Sequence, residues 1–115
     1  MKLLAKFLAR PIVASFMLAA FFVSTAAIAD EVVEVSVEKM QFVPKIIKIK
    51  PGITVKWVNN EKRSNHTVLF EKEGLAESDR FFPGEFWQRT FEKPGSYPYI
   101  CGVHPEMNGV VEVAE

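Results

Sequence analysis

From Val33 to Val113 apolar and polar residues alternate in short runs, the period-2 pattern of strands with one buried face. Val33, Val35 and Val37 alternate with Glu34, Ser36 and Glu38. Ile47 and Ile49 alternate with Lys48 and Lys50, and Pro51-Gly52 then supplies a turn. Ile53, Val55 and Trp57 continue inward against Thr54 and Lys56, ending at Asn59-Asn60. His66, Val68 and Phe70 share one face of the next run, with His66 at the start of a strand. The acidic stretch 71–79 reads as a solvated loop or short helical turn. After Pro83-Gly84, residues 86–91 read as a strand whose facing is blurred by the adjacent aromatics Phe86 and Trp87. Pro94-Gly95 turns the chain, Tyr97, Tyr99 and Cys101 then share a face, and Val111 and Val113 do so in the last run, 109–113. Short strands between Pro/Gly turns, with no amphipathic helix, repeat or low-complexity segment, predict an all-β Greek-key sandwich or small barrel.

The first 29 residues follow another pattern. Lys2, Lys6 and Arg10 precede an uncharged stretch, 11–29, that is most apolar over 12–23 and ends Ala27-Ile28-Ala29 before Asp30. A basic start, an apolar middle and a small-residue box predict a signal peptide over 1–29, cleaved after Ala29, and export to the periplasm. The alternative is an uncleaved anchor, because the uncharged stretch just reaches membrane-spanning length; the small-residue box has no purpose in a retained helix. Residues 30–115 then form one domain, long enough to fold alone.

Charge sharpens this. The whole chain carries 14 Lys+Arg against 14 Asp+Glu, which lacks the basic footprint that nucleic acid requires. Three of the basic residues and none of the acidic ones lie in 1–29, so the domain is mildly acidic. With 49% hydrophobic and 12% aromatic residues there is enough to fill a core.

One Cys cannot form an intramolecular disulfide, and two His cannot furnish a histidine-rich cage. Yet Cys101, His104 and Met107 stand at i, i+3, i+6 between two predicted strands, where a tight loop can turn them toward one point. Thiolate, imidazole and thioether suit copper, and a His₂Cys set with a weak axial Met is the electron-transfer arrangement. The chain has one further imidazole, His66. Each residue also has a plain structural reading: a buried Cys, a core Met, a turn His beside Pro105, a strand His after Asn65. Jointly these weaken, because an unpaired reactive thiol is a liability in an oxidising compartment. Zinc prefers four strong ligands, and Met is not one of them. An iron–sulfur cluster needs more cysteines.

The chain resembles the cupredoxins, specifically the amicyanin, pseudoazurin and plastocyanin group. The resemblance rests on Phe42-Val43-Pro44, the Ile47/Ile49 pair, Gly52, Val55-Lys56-Trp57-Val58-Asn59, Gly95-Ser96-Tyr97-Pro98-Tyr99-Ile100-Cys101, and the loop Cys101-Gly102-Val103-His104-Pro105-Glu106-Met107-Asn108-Gly109. Its two-residue gap between His104 and Met107 is most similar to amicyanin. The resemblance implies one type 1 copper, Cu(I)/Cu(II), with His66, Cys101 and His104 as equatorial ligands and Met107 as the long axial one. It implies a monomer that carries single electrons and docks transiently, through the edge of His104, with a redox protein such as a c-type cytochrome, a dehydrogenase or an oxidase. Val103, Pro105 and the Phe81-Phe82-Pro83 run are candidates for the apolar rim, although ordinary core packing is the first expectation for the Phe pair because aromatics bury so much area. Lys62 and Arg63 are candidates for steering an acidic partner, or form a solvated turn.

Two positions depart from the family. Thr67 follows the first His where the family carries Asn, with its backbone N–H still available to the Cys101 sulfur. Glu106 stands where amicyanin-like loops carry an aromatic. With both His used as ligands, and no G-x-S-x-G, Gly-rich phosphate loop or H-E-x-x-H, an enzyme is not expected. The rival reading is a periplasmic copper-binding protein for copper tolerance, using the same four ligands.

Overall fold

A computed structural model of the chain describes residues 17–22 and 31–115. The expected signal peptide and its cleavage point after Ala29 lie outside the described residues, except for 17–22, which are exposed and irregular. Among the described residues no helix is long and apolar enough to cross a membrane.

Among the described residues seven strands make two sheets. They are β1 (Val32–Glu38), β2 (Gln41–Val43), β3 (Ile46–Ile49), β4 (Ile53–Asn59), β5 (Phe86–Phe91), β6 (Gly95–Ile100) and β7 (Asn108–Val113). One sheet runs β2-β1-β4-β5 and the other β3-β7-β6. The β1–β4 and β3–β7 pairs are parallel and the rest antiparallel, which is the sandwich expected from the alternation. The inward residues are those the period selects: Val35, Val37, Val55, Trp57 and Val111 are fully buried, and Ile47, Ile49 and Val113 nearly so. Trp57 sits at the centre, with ring centroids 5.3 Å from Tyr99, 5.5 Å from Trp87 and 6.1 Å from Phe70. The blurred facing of β5 resolves accordingly: Trp87 turns in against Trp57, and Phe86 stays exposed under the Lys56 ammonium, 4.2 Å above its ring.

Three features differ from expectation. The strand β2 was hidden in the sequence because its hairpin turn uses Lys39 and Met40, both at positive φ (49° and 57°), where Asn-Gly is usual. Met40 N–H donates to Glu61 Oε1 at 2.7 Å, a tertiary bond that holds this unfavourable turn. Thr54, expected to face solvent, is buried, its hydroxyl 2.7 Å from that of Thr90 across the β4–β5 pair.

The run 66–70 is not a regular strand. It crosses between two partners, bridging first to Phe81 through His66 and then to Ile100 of the edge strand β6 through Leu69, without a continuous ladder. It is followed by a single 3-10 turn, Glu71–Glu73, in the acidic stretch. Arg89 anchors that turn with two 2.8 Å bonds to Glu73 while its guanidinium lies 4.4 Å above the Phe70 ring.

Asn59 organises the next loop. Fully buried at the end of β4, it donates to Ser64 O (2.8 Å) and Phe81 O (3.0 Å) and accepts from Glu61 N–H (2.9 Å). Asn59→Ala should destabilise the domain by about 2–3 kcal/mol, because buried backbone groups lose their partners. Urea unfolding checks this, and a loss below about 1 kcal/mol would mean that water replaces the side chain.

Candidate metal centre

Cys101 follows β6 directly, on the inward face begun by Tyr97 and Tyr99, and is completely buried. The chain then makes a tight hook: Met107 N–H donates to His104 O at 2.9 Å, and Cys101 N–H to Met107 O at 3.0 Å. These two bonds close the loop and fix His104 at its tip. His66 enters from the crossing segment, pinned by a reciprocal backbone pair with Phe81 (3.2 and 3.0 Å).

The hook and the crossing segment bring three donors together. His66 Nδ1 and His104 Nδ1 each lie 3.8 Å from Cys101 Sγ, and all three ligating atoms fall within 4.8 Å of one another. Donors that share one ion at bonds of about 2.0–2.3 Å stand roughly 3.5–4 Å apart, so this spacing is that of a common cation. His66 is buried completely and His104 only partly. Met107 is also buried, in the same hydrophobic cluster as Cys101.

The electrostatics favour ligation. Burial first, and the neighbouring His104 next, hold the His66 imidazole below its ordinary value of 6.5, against an opposing pull from Glu61. The neutral ring is the form that binds a metal. Glu61 Oε1 is 3.6 Å from His66 Nε2, too long for a hydrogen bond, so the carboxylate acts on this otherwise unpartnered nitrogen as a nearby charge. Thr67 N–H points at Cys101 Sγ from 3.4 Å, as expected of the residue after His66.

The expected rim divides. Phe81 is core at 2% exposure, whereas Phe82 is 51% exposed. Pro105 and Glu106 are exposed beside the half-buried Val103, and Lys62 and Arg63 are exposed too. Glu61 was missed in the sequence because its contact with His66 depends on how Asn59 folds the intervening loop.

The cupredoxin-like domain family matches residues 11–113. The amicyanin of Paracoccus versutus is 39% identical over 97 residues, covering 79% of this chain and 71% of that protein. The plastocyanin of Scenedesmus fuscus is 33% identical over 84 residues, covering 63% of this chain and 85% of its own. Among solved structures, a Cu(I) form of an amicyanin variant has a TM-score of 0.70 at 31% identity, covering 77% of this chain and 88% of that one. The likeness extends from the ligand loop through both sheets, and the chain belongs to the cupredoxin-like family.

Proposed function

We propose that this chain is a periplasmic type 1 copper protein that carries single electrons between redox proteins, its metal held by His66, Cys101, His104 and, axially, Met107. The observation that carries the reading is the convergence of one cysteine sulfur and two imidazoles within 4.8 Å, with His104 alone of the three reaching toward solvent. A bound copper ion supplies a one-electron couple, Cu(I)/Cu(II). The protein's part is to keep the donors still. The hook bonds hold Cys101 and His104, and the Phe81 pair holds His66, so the donor set rearranges little between redox states. Burial keeps water away from the thiolate and keeps His66 neutral. The partly exposed His104 gives the electron its exit, and exposed Phe82 and Pro105 offer apolar contact to a docking partner such as a c-type cytochrome. The periplasmic assignment rests on the pattern of residues 1–29.

A copper-tolerance role would use the same donors, and the two departures from the family pattern, exposed Glu106 on the rim and Thr67 after His66, leave room for it. The chain carries no Met- or His-rich run with which to collect further copper, and both of its His lie in the cluster. Two measurements decide: the rate of reduction of the purified protein by a c-type cytochrome, and growth of a deletion strain in copper. Rapid reduction with unchanged copper growth is expected; copper sensitivity with intact respiration would reject the shuttle.

Met107→Leu tests the axial assignment. The variant should keep its copper while its potential rises by on the order of 60 mV, a tenfold change in a one-electron equilibrium. Loss of the thioether donor weakens Cu(II) more than Cu(I). An unchanged potential and spectrum would remove Met107 from the ligand set.

A further inference from the structure

The acidic stretch reaches the segment that carries His66. Thr67 Oγ1 donates to Glu77 Oε1 at 2.7 Å and accepts from Gly102 N–H at 2.9 Å. A hydroxyl has a single proton, and an ionised carboxylate can only accept, so the Thr67 proton must go to Glu77 and its lone pairs face Gly102. The polarity of the bridge is thus set by Glu77, and a hydroxyl that donates to a charged acceptor becomes the stronger acceptor itself. Beside it, Ser78 Oγ accepts from Val68 N–H (2.8 Å) and Ser78 N–H donates to Val68 O (3.0 Å), so residues 77–78 lie as an arm along Thr67-Val68. The arm needs Gly102 bare: a Cβ there would collide with the Glu77 carboxylate and stand 2.9 Å from Thr67 Oγ1. Thr67 is only 2% exposed, which makes an unpartnered hydroxyl there costly.

We infer that Glu77 is a positioning residue of the metal centre: through the Thr67 hydroxyl it clasps the His66 segment to the Cys101 loop and holds Thr67 N–H against the Cys101 sulfur. This rests on the copper reading above. Thr67 makes two tethers to adjacent residues, its N–H to Cys101 Sγ and its hydroxyl to Gly102 N–H. Two neighbouring tethers fix rotation as well as separation, so losing one loosens the other. An N–H···S bond withdraws electron density from the thiolate and so favours the reduced metal; slackening it favours the oxidised one.

The test uses the copper-loaded protein. Glu77→Ala and Thr67→Val should each shift the equilibrium with a one-electron mediator dye about fivefold toward the oxidised protein, the factor one typical hydrogen bond represents. Each should also speed hydrogen exchange of the Gly102 amide about tenfold in the reduced, diamagnetic form. Thr67→Ser and Glu77→Gln, which retain hydroxyl and acceptor oxygen, should stay within about twofold of the parent on both readouts. The double variant Glu77→Ala/Thr67→Val should be no worse than Thr67→Val alone, the signature of a shared interaction. A mediator equilibrium unchanged in Glu77→Ala overturns the inference, as does a Thr67→Ser variant that behaves like Thr67→Val. Should Thr67→Val fail to fold, Glu77→Ala and the two conservative variants decide alone. If the parent protein itself binds no copper, the copper reading fails separately, and Gly102 exchange in the metal-free parent and Glu77→Ala then decides the clasp.

Discussion

Cys101→Ser abolishes the intense thiolate-to-copper absorption of the loaded protein and weakens copper binding far beyond the roughly 10–100-fold loss that follows removal of a ligand's outer hydrogen-bond partner. The reason is chemical. The thiolate is the soft donor of the set and, as the sole Cys of the chain, has no substitute. A serine hydroxyl occupies nearly the same space but stays protonated, and it gives Cu(II) no low-energy charge transfer. The fold should persist: the Cys101 N–H bond to Met107 O belongs to the backbone, and the flanking pairs of β6 with β7 are untouched. Absorption spectroscopy after copper titration, with circular dichroism as the folding control, makes the measurement. A variant that keeps its colour would reject Cys101 as a ligand and with it the whole centre.

The second large effect falls on stability. Trp57→Ala should destabilise the domain by about 3–5 kcal/mol, the usual range for truncating a buried aromatic. For a domain of this size that lowers Tm by on the order of 15–30 °C. Trp57 is fully buried and lies within aromatic reach of Phe70, Trp87, Phe91 and Tyr99. Tyr99 is two residues from Cys101, so collapse around the missing indole reaches the ligand loop. Trp57→Phe should be far milder, about 1–2 kcal/mol, because the indole Nε1 has no hydrogen-bond partner of acceptable geometry to lose. Burial also pushes the Tyr99 phenol up to about 12, opposed in part by the nearby Trp57 N–H, so the phenol remains protonated at any working pH. Thermal unfolding of the metal-free protein reads both variants directly. A loss below about 1.5 kcal/mol for Trp57→Ala would show that the two sheets are not joined through this residue.

The strands most legible in the sequence are those whose two faces meet different solvents. Val35/Val37 and Ile47/Ile49 face the core while the charged residues between them face water, so the alternation records the sheet directly. Where both faces are covered the record fails. Residues 66–70 make only isolated bridges, to Phe81 and to Ile100 of the edge strand β6, with Thr67 as buried as His66 and Val68, and the apparent alternation there marked no ladder. The hairpin before β2 was illegible for another reason: Lys39 and Met40 take positive φ in a turn that Glu61, from a distant loop, braces by accepting the Met40 N–H. Likewise Phe81 and Phe82 look alike in the sequence, and only the pairing of Phe81 with His66 turns one inward and leaves the other exposed.

The ligand loop shows the same division at the site. Cys101, His104 and Met107 lie within seven residues, so their chemistry and their ability to meet were set locally, by residue type and spacing along a turn. His66 could be singled out because it was the only imidazole left, but its distance from Cys101 Sγ, 3.8 Å, is a property of how two sheets close over Trp57. Glu61 beside His66 and Glu77 beneath Thr67 were beyond any reading of the chain, since acidic residues on solvated loops are ordinary and nothing nearby marks these two. Periodicity and donor type are written in neighbouring residues. Which carboxylate stands next to which ligand is decided by contacts between segments far apart in the chain, and those exist only once the sandwich has formed.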